Sequence, residues 1–214
     1  RRAIIRQSGA LDLYDGEEIL SSVGGYASLT EWLSGRKAAF NPEAKKFGIP
    51  TPKGVLLVGV PGTGKSMICK GTGASWGYPV VKLDMGAIFN SLVGASEQNL
   101  RAALKIAEMV QPCVLWIDEI EKGLSGASRG NDSGVSSRIF GTLLTWMQDK
   151  KAQVFVMATA NDITTLPPEL LRKGRFDEIF FLDLPLASTR KRIFEDKIRK
   201  TGRSPEEFDL DAMV

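Results

Sequence analysis

Gly59-Val60-Pro61-Gly62-Thr63-Gly64-Lys65-Ser66 is the stretch on which the fold turns. Its spacing is GxxxxGK[ST], with the apolar run Gly54–Val58 before it and a helical pattern over 65–76 after it. A polyanion such as a phosphate chain needs many donors close together. Gly62 and Gly64 let the backbone approach with no Cβ in the way, so that successive N–H groups form a nest. The helix expected over 65–76 aims its positive end at the same point. Lys65 has the reach for the outer phosphates, and the Ser66 hydroxyl suits Mg²⁺. Gly71 and Gly73 are costly inside that helix, at roughly 1 kcal/mol each. Close packing against a sheet and a helix that shifts with its ligand both explain them.

Three further segments follow. Val114-Leu115-Trp116-Ile117-Asp118-Glu119 is a buried strand ending in two carboxylates. Beside a phosphate loop, Asp118 can hold a Mg²⁺-bound water and Glu119 can polarise an attacking water. Ala158-Thr159-Ala160-Asn161 closes the next apolar strand. An uncharged amide at Asn161 can orient that water without competing with Glu119 for a proton, although an Asx turn into Asp162 also suits the pattern. Finally, Arg172 and Arg175 flank Gly174 after a Pro-Pro break. Two guanidinium groups presented together suit phosphate charge developing in a transition state, whereas a salt bridge to Asp177 or Glu178 is the plainer use of Arg175.

Working outward, five apolar runs alternate with helical stretches: Gly54–Val58, Val80–Asp84, Cys113–Asp118, Val154–Thr159 and Ile179–Leu184. Nearly continuous apolar strands are those of a parallel sheet covered on both faces. The helical candidates are 65–76, 96–110, capped by Ser96, and 134–148, with Ile139, Phe140, Leu143, Leu144 and Met147 on one face. A short amphipathic helix is expected over Ser28–Phe40, a loop over Asn41–Lys53 and a mobile glycine-rich loop over Gly123–Gly134. After Pro185 a basic helix over Ser188–Lys200 leads to a cap at Ser204. Residues 1–22 read as a linker segment.

The 214 residues, 43% hydrophobic, provide one sizeable α/β core. Net charge is +3, from 28 basic and 25 acidic residues spread along the chain. The absence of histidine excludes His-based acid–base chemistry and His metal sites. Cys69 and Cys113 lie in apolar stretches and read as reduced core thiols. No apolar run approaches the ~20 residues of a membrane span, and no signal-peptide pattern is seen. The missing initiator Met and the end at Val214 suggest a piece of a longer protein.

The four segments in this order resemble the AAA clade of the AAA+ ATPases, over about Val23 to Lys200. The resemblance implies a P-loop NTPase three-layer sandwich with a five-stranded parallel sheet over 23–184. The start of a helical lid would occupy 185–214. It makes Gly59–Ser66 the Walker A motif, Asp118 and Glu119 Walker B, and Asn161 sensor 1. Arg172 and Arg175 become arginine fingers acting in a neighbouring subunit. Val23-Gly24-Gly25 is similar to the family's adenine-side motif, with Ser22 where aspartate is usual. The implied ligands are ATP/ADP and Mg²⁺. The nucleotide residues are Val23, Gly24, Pro61, Gly62, Thr63, Gly64, Lys65, Ser66, Met67 and Asp118, with Ser66 and Asp118 at the metal. Lys65, Glu119, Asn161, Arg172 and Arg175 are the catalytic set. Leu92, Val93 and Gly94 fall at the family's first pore loop, with Leu92 where many threading members carry an aromatic.

At finer grain, Cys113–Glu121 and Gly141–Gln148 look like the AAA-like proteins of hypothetical reading frames in chloroplast genomes, found also in cyanobacteria. That resemblance implies a cytoplasmic or stromal protein. The expected activity is ATP-driven remodelling of a polypeptide by a self-associating ring, a hexamer, with an adaptor or polypeptide partner. A nucleic-acid loader, a nucleotide-sensing scaffold and a simple P-loop kinase are the alternatives. The first lacks a dense basic run, the second does not require the intact catalytic set, and the third lacks an evident acceptor site.

Overall fold

A computed structural model describes residues 5, 9–14, 26–89, 95–122 and 133–214, with only the backbone given for 133–136. In chain order the strands are β1 (Leu11–Tyr14), β2 (Gly54–Val58), β3 (Val80–Leu83), β4 (Cys113–Ile117), β5 (Val154–Ala160) and β6 (Glu178–Phe181). The helices are α1 (Ala27–Ala38), α2 (Pro42–Lys46), α3 (Lys65–Trp76), α4 (Met85–Phe89), α5 (Ala95–Val110), α6 (Ser133–Asp149) and α7 (Ala187–Lys200).

The sheet has the order β1-β3-β4-β5-β2-β6. β2 to β6 run parallel, as the apolar runs predict. The sheet is one strand wider than the expected five: β1 pairs antiparallel with β3, Leu11 opposite Leu83 and Tyr14 opposite Val80. Leu11-Asp12-Leu13-Tyr14 carries the period-2 alternation of a half-buried edge strand, and Leu11 is buried. Four residues were too short a run to separate from the polar segment around them.

Side chains of each central strand alternate between two cores. Cys113, Leu115 and Ile117 join the cluster under α5 and α6. Val114 and Trp116 join the one under α1 and α3. The two buried thiols, not joined in a disulfide, therefore lie on opposite faces of the sheet, Cys113 in the first core and Cys69 in the second. Gly73 belongs to close packing: a Cβ there would stand 2.1 Å from Val80 Cγ2, so the helix sits against β3 at a distance only glycine allows.

Boundaries differ by a residue or two from expectation. Phe40 lies beyond the end of α1, buried among Trp76, Tyr78 and Phe155. The 41–53 loop contains the short helix α2, with Pro42 at its first turn and the Asn41 side chain accepting from Glu43 N. α5 starts at Ala95, which puts Ser96 inside the first turn instead of at the cap. Ser204 stands before a 3₁₀ turn, Pro205–Glu207, without a side-chain cap bond. Ser133 and Gly134 already belong to α6, and 123–132 lie outside the described residues.

Candidate active site

The sheet order decides which strand ends meet. β5 lies between β4 and β2, so the residues after these three parallel strands share one edge. Ligands of open α/β sheets bind at this carboxyl edge. β2 delivers the phosphate loop, β4 delivers Asp118 and Glu119, and β5 delivers Thr159 and Asn161.

In the loop, Gly62 and Gly64 have φ of 90° and 86°, left-handed values that glycine adopts without strain. Gly59 is needed for space, because a Cβ there would stand 2.1 Å from the Leu182 carbonyl oxygen. Pro61 is exposed. The Thr63 hydroxyl donates to Val60 O at 3.0 Å. Lys65 Nζ donates to the loop's own carbonyls, Gly59 O at 2.5 Å and Val60 O at 2.9 Å. Burial pulls this ammonium below the usual lysine range, with Glu121, Glu119 and Asp118 opposing.

Across the edge, Ser66 Oγ lies 3.5 Å from Asp118 Oδ1, which also accepts from Thr159 Oγ1 at 2.8 Å. Thr159 Oγ1 in turn accepts from Glu119 N at 2.9 Å. No local pattern marks this threonine, which lies within the apolar run of its strand. Glu119 has φ of 48°, a conformation rare outside glycine and asparagine. Asn161 Nδ2 donates to Glu119 Oε1 at 3.1 Å, and Lys122 Nζ pairs with Glu119 Oε2. The Lys122 bond holds the Glu119 carboxyl below its ordinary range; burial opposes it, and the Asn161 bond adds a smaller lowering effect. Asn161 does not form the Asx turn; Asp162 does, with Oδ1 accepting from Thr164 N at 2.8 Å.

A cleft of about 140 Å³ opens between α7 and the loop with the start of α3. Gly62, Thr63, Gly64 and Met67 line one wall; Tyr26 and α7 residues Ile193, Asp196, Lys197 and Lys200 supply others. Val23 and Gly24 lie outside the described residues, as do Leu92, Val93 and Gly94. Tyr26 follows the Val23-Gly24-Gly25 motif and carries no sequence signal of its own. Its hydroxyl lies 3.0 Å from Thr63 O and 2.9 Å from Asp183 O, joining the phosphate loop to the segment before α7.

Arg172 is exposed and Arg175 half-buried, its Nη1 enclosed with no hydrogen-bond partner among the described residues. Neither bonds to Lys65, Asp118, Glu119 or Asn161 among the described residues. The salt bridge to Asp177 is not formed, because Asp177 Oδ2 instead accepts from Lys53 N at 2.8 Å and Gly54 N at 3.1 Å.

A magnesium nucleotide fits these groups. The left-handed glycines expose a nest, α3 begins beneath it, and Ser66 and Asp118 are hard oxygen donors on adjoining walls.

Comparison with known proteins agrees. Residues 55–184 match the model of the ATPase family associated with various cellular activities (AAA). Over 211 residues the chain is 48% identical to the uncharacterized AAA domain-containing protein ycf46 of Pyropia yezoensis, covering 98% of this chain and 43% of that protein. The ycf46 protein of Guillardia theta is 46% identical over 200 residues, or 94% of this chain and 40% of that protein. These relatives bear out the resemblance to chloroplast reading-frame proteins. The nuclear valosin-containing protein-like of Mus musculus is 33% identical over 180 residues, 81% of this chain and 21% of that protein. The chain thus spans about two fifths of the length of the ycf46 proteins it matches. With the matched region running from β2 past β6 and covering every strand end that builds the site, the chain belongs to the AAA family of ATPases.

Proposed function

We propose that the chain binds and hydrolyses ATP with Mg²⁺, as one subunit of a ring that remodels a polypeptide. The observation that carries the hydrolytic reading is Glu119, held by Asn161 and Lys122 beside an Asp118 tied to Ser66 and Thr159. An ionised carboxylate at the sheet edge beside a phosphate loop supports the reading of Glu119 as the group that takes a proton from a water. Bound Mg²⁺ supplies charge neutralisation of the phosphates; Ser66 and, through water, Asp118 would hold it. Lys65 would leave the Gly59 and Val60 carbonyls for the outer phosphates. Asn161 fixes the direction of the Glu119 carboxylate.

The ring reading is supported by Arg172 and Arg175. Among the described residues neither pairs with a carboxylate of its own chain, and arginine supplied in trans can add 10³–10⁵ in rate. A hexamer, a polypeptide substrate or adaptor gripped by Leu92, Val93 and Gly94, and a cytoplasmic or stromal setting complete the proposal. No helix among the described residues is long and apolar enough to cross a membrane.

The test is ATPase turnover per subunit against protein concentration. We expect turnover to rise as subunits associate. Mixing Glu119→Gln with Arg175→Ala should recover part of the activity, because a mixed ring contains interfaces with an intact Glu119 facing an intact Arg175. Flat turnover together with a harmless Arg175→Ala would rule out the shared site.

A further inference from the structure

The two oxygens of Asp118 keep different company. Oδ1 accepts from Thr159 Oγ1 at 2.8 Å and from Ser66 Oγ at 3.5 Å. Oδ2 faces Lys82 Nζ at 3.4 Å. Lys82 lies on β3, in register with Trp116 of β4 on one side and Asp12 of β1 on the other. Its ion pair is formed with Asp118 and, among the described residues, not with Asp12. Trp116, two residues before Asp118 on the same strand face, favours the choice: the Lys82 ammonium stands 4.6 Å from the centre of its ring. The negative face of an indole attracts a cation and limits where a long side chain can swing. Lys70 Nζ takes the neighbouring space, 5.6 Å from the Trp116 ring and 4.3 Å from that of Tyr14. Lys82 is thus a half-buried charge directed at one oxygen of the carboxylate assigned to the metal.

We propose that Lys82 is a positioning residue for the magnesium site: it draws Asp118 Oδ2 toward β3, leaves Oδ1 to face Ser66, and weakens the grip of Asp118 on the cation. A fixed positive charge beside a carboxylate neutralises part of the charge that would hold a dication and repels the dication itself. Magnesium held in this way stays exchangeable. The inference rests on the reading of Asp118 as a metal-side residue.

Its test is the Mg²⁺ dependence of ATP binding, followed by calorimetry in the parent chain and in Lys82→Met, Lys82→Gln, Lys82→Arg and Asp118→Asn, each checked for parent-like thermal unfolding. Lys82→Met and Lys82→Gln should lower the half-saturating Mg²⁺ by about threefold or more, on the scale of a half-exposed charge pair. Lys82→Arg should stay close to the parent. An unchanged or raised midpoint in the first two variants overturns the proposal. So does a loss of ATP affinity at saturating Mg²⁺ with the midpoint unmoved, which would make Lys82 a phosphate contact. Asp118→Asn tests the metal assignment separately: if Mg²⁺ dependence survives it intact, that assignment falls regardless of what Lys82 does.

Discussion

The side-chain amide of Asn161 donates to Glu119 Oε1 at 3.1 Å although the two residues are 42 positions apart. The bond exists because β5, which ends one residue before Asn161, runs between β4 and β2. It ties the direction of the carboxylate to a strand buried along its whole length, and buried central strands are among the last parts of a fold to open.

That bond separates two variants. Glu119→Gln should retain ATP affinity and lose turnover by about 10²–10⁴-fold, the usual contribution of a positioned general base. Asn161→Ala should lose at least about tenfold in kcat, with ATP affinity kept, since it removes orientation and leaves the base. Equilibrium binding of ATP alongside steady-state turnover checks both. Full activity in Asn161→Ala would remove the orienting role.

The glycines of two helices should respond in opposite directions. Gly73→Ala brings a Cβ to 2.1 Å from Val80 Cγ2 and should destabilise the chain by about 1–3 kcal/mol. Gly35→Ala, in α1 with nothing within 4 Å of the added Cβ, should stabilise by about 0.5–1 kcal/mol. Urea unfolding of the two variants against the parent reads both signs. A harmless Gly73→Ala would mean that α3 can move off β3.

Lys150 should make stability depend on alkaline pH. Burial, with Lys53 adding to it, brings its ammonium down to about 8, while Nζ donates to Val154 O at 2.5 Å and Pro52 O at 3.2 Å. An unfolded lysine titrates near ~10.4, so between these values the unfolded chain binds more protons. This group therefore adds stability as pH rises through that window. The buried Cys69 thiol, pushed up by burial, acts in the opposite sense above ~8.5, where the unfolded thiol ionises first. The comparison with Lys150→Met isolates the lysine. Between pH 7.5 and 9.5 the urea midpoint of the parent should gain relative to that of the variant, and equal shifts would show that Lys150 keeps an ordinary affinity for its proton.

Tyr26→Phe should loosen the tie between the phosphate loop and the segment before α7, since one phenol bridges Thr63 O and Asp183 O. We expect weaker ADP and ATP binding, by about fivefold, the worth of a typical hydrogen bond. Calorimetric titration checks it; unchanged affinity would make the bridge incidental.

The sequence by itself determined the phosphate loop, the strand–helix alternation and the two carboxylates at a strand end. Each is a local pattern: glycines where φ must be positive, apolar runs where both faces of a strand are covered, a 3.6-residue period where one face of a helix is. It did not disclose that Leu11–Tyr14 joins the sheet, because four residues of alternation carry little signal until β3 offers them an edge. Only the tertiary structure decided that Thr159 and Lys82 hold Asp118, that Lys122 and Asn161 hold Glu119, and that Asp177 caps Lys53 and Gly54 instead of pairing with Arg175. Apart from Lys122 with Glu119, one helical turn apart, these contacts join residues far apart in the chain. The crossovers that order the sheet bring them together, and a local pattern of residue types cannot encode that order.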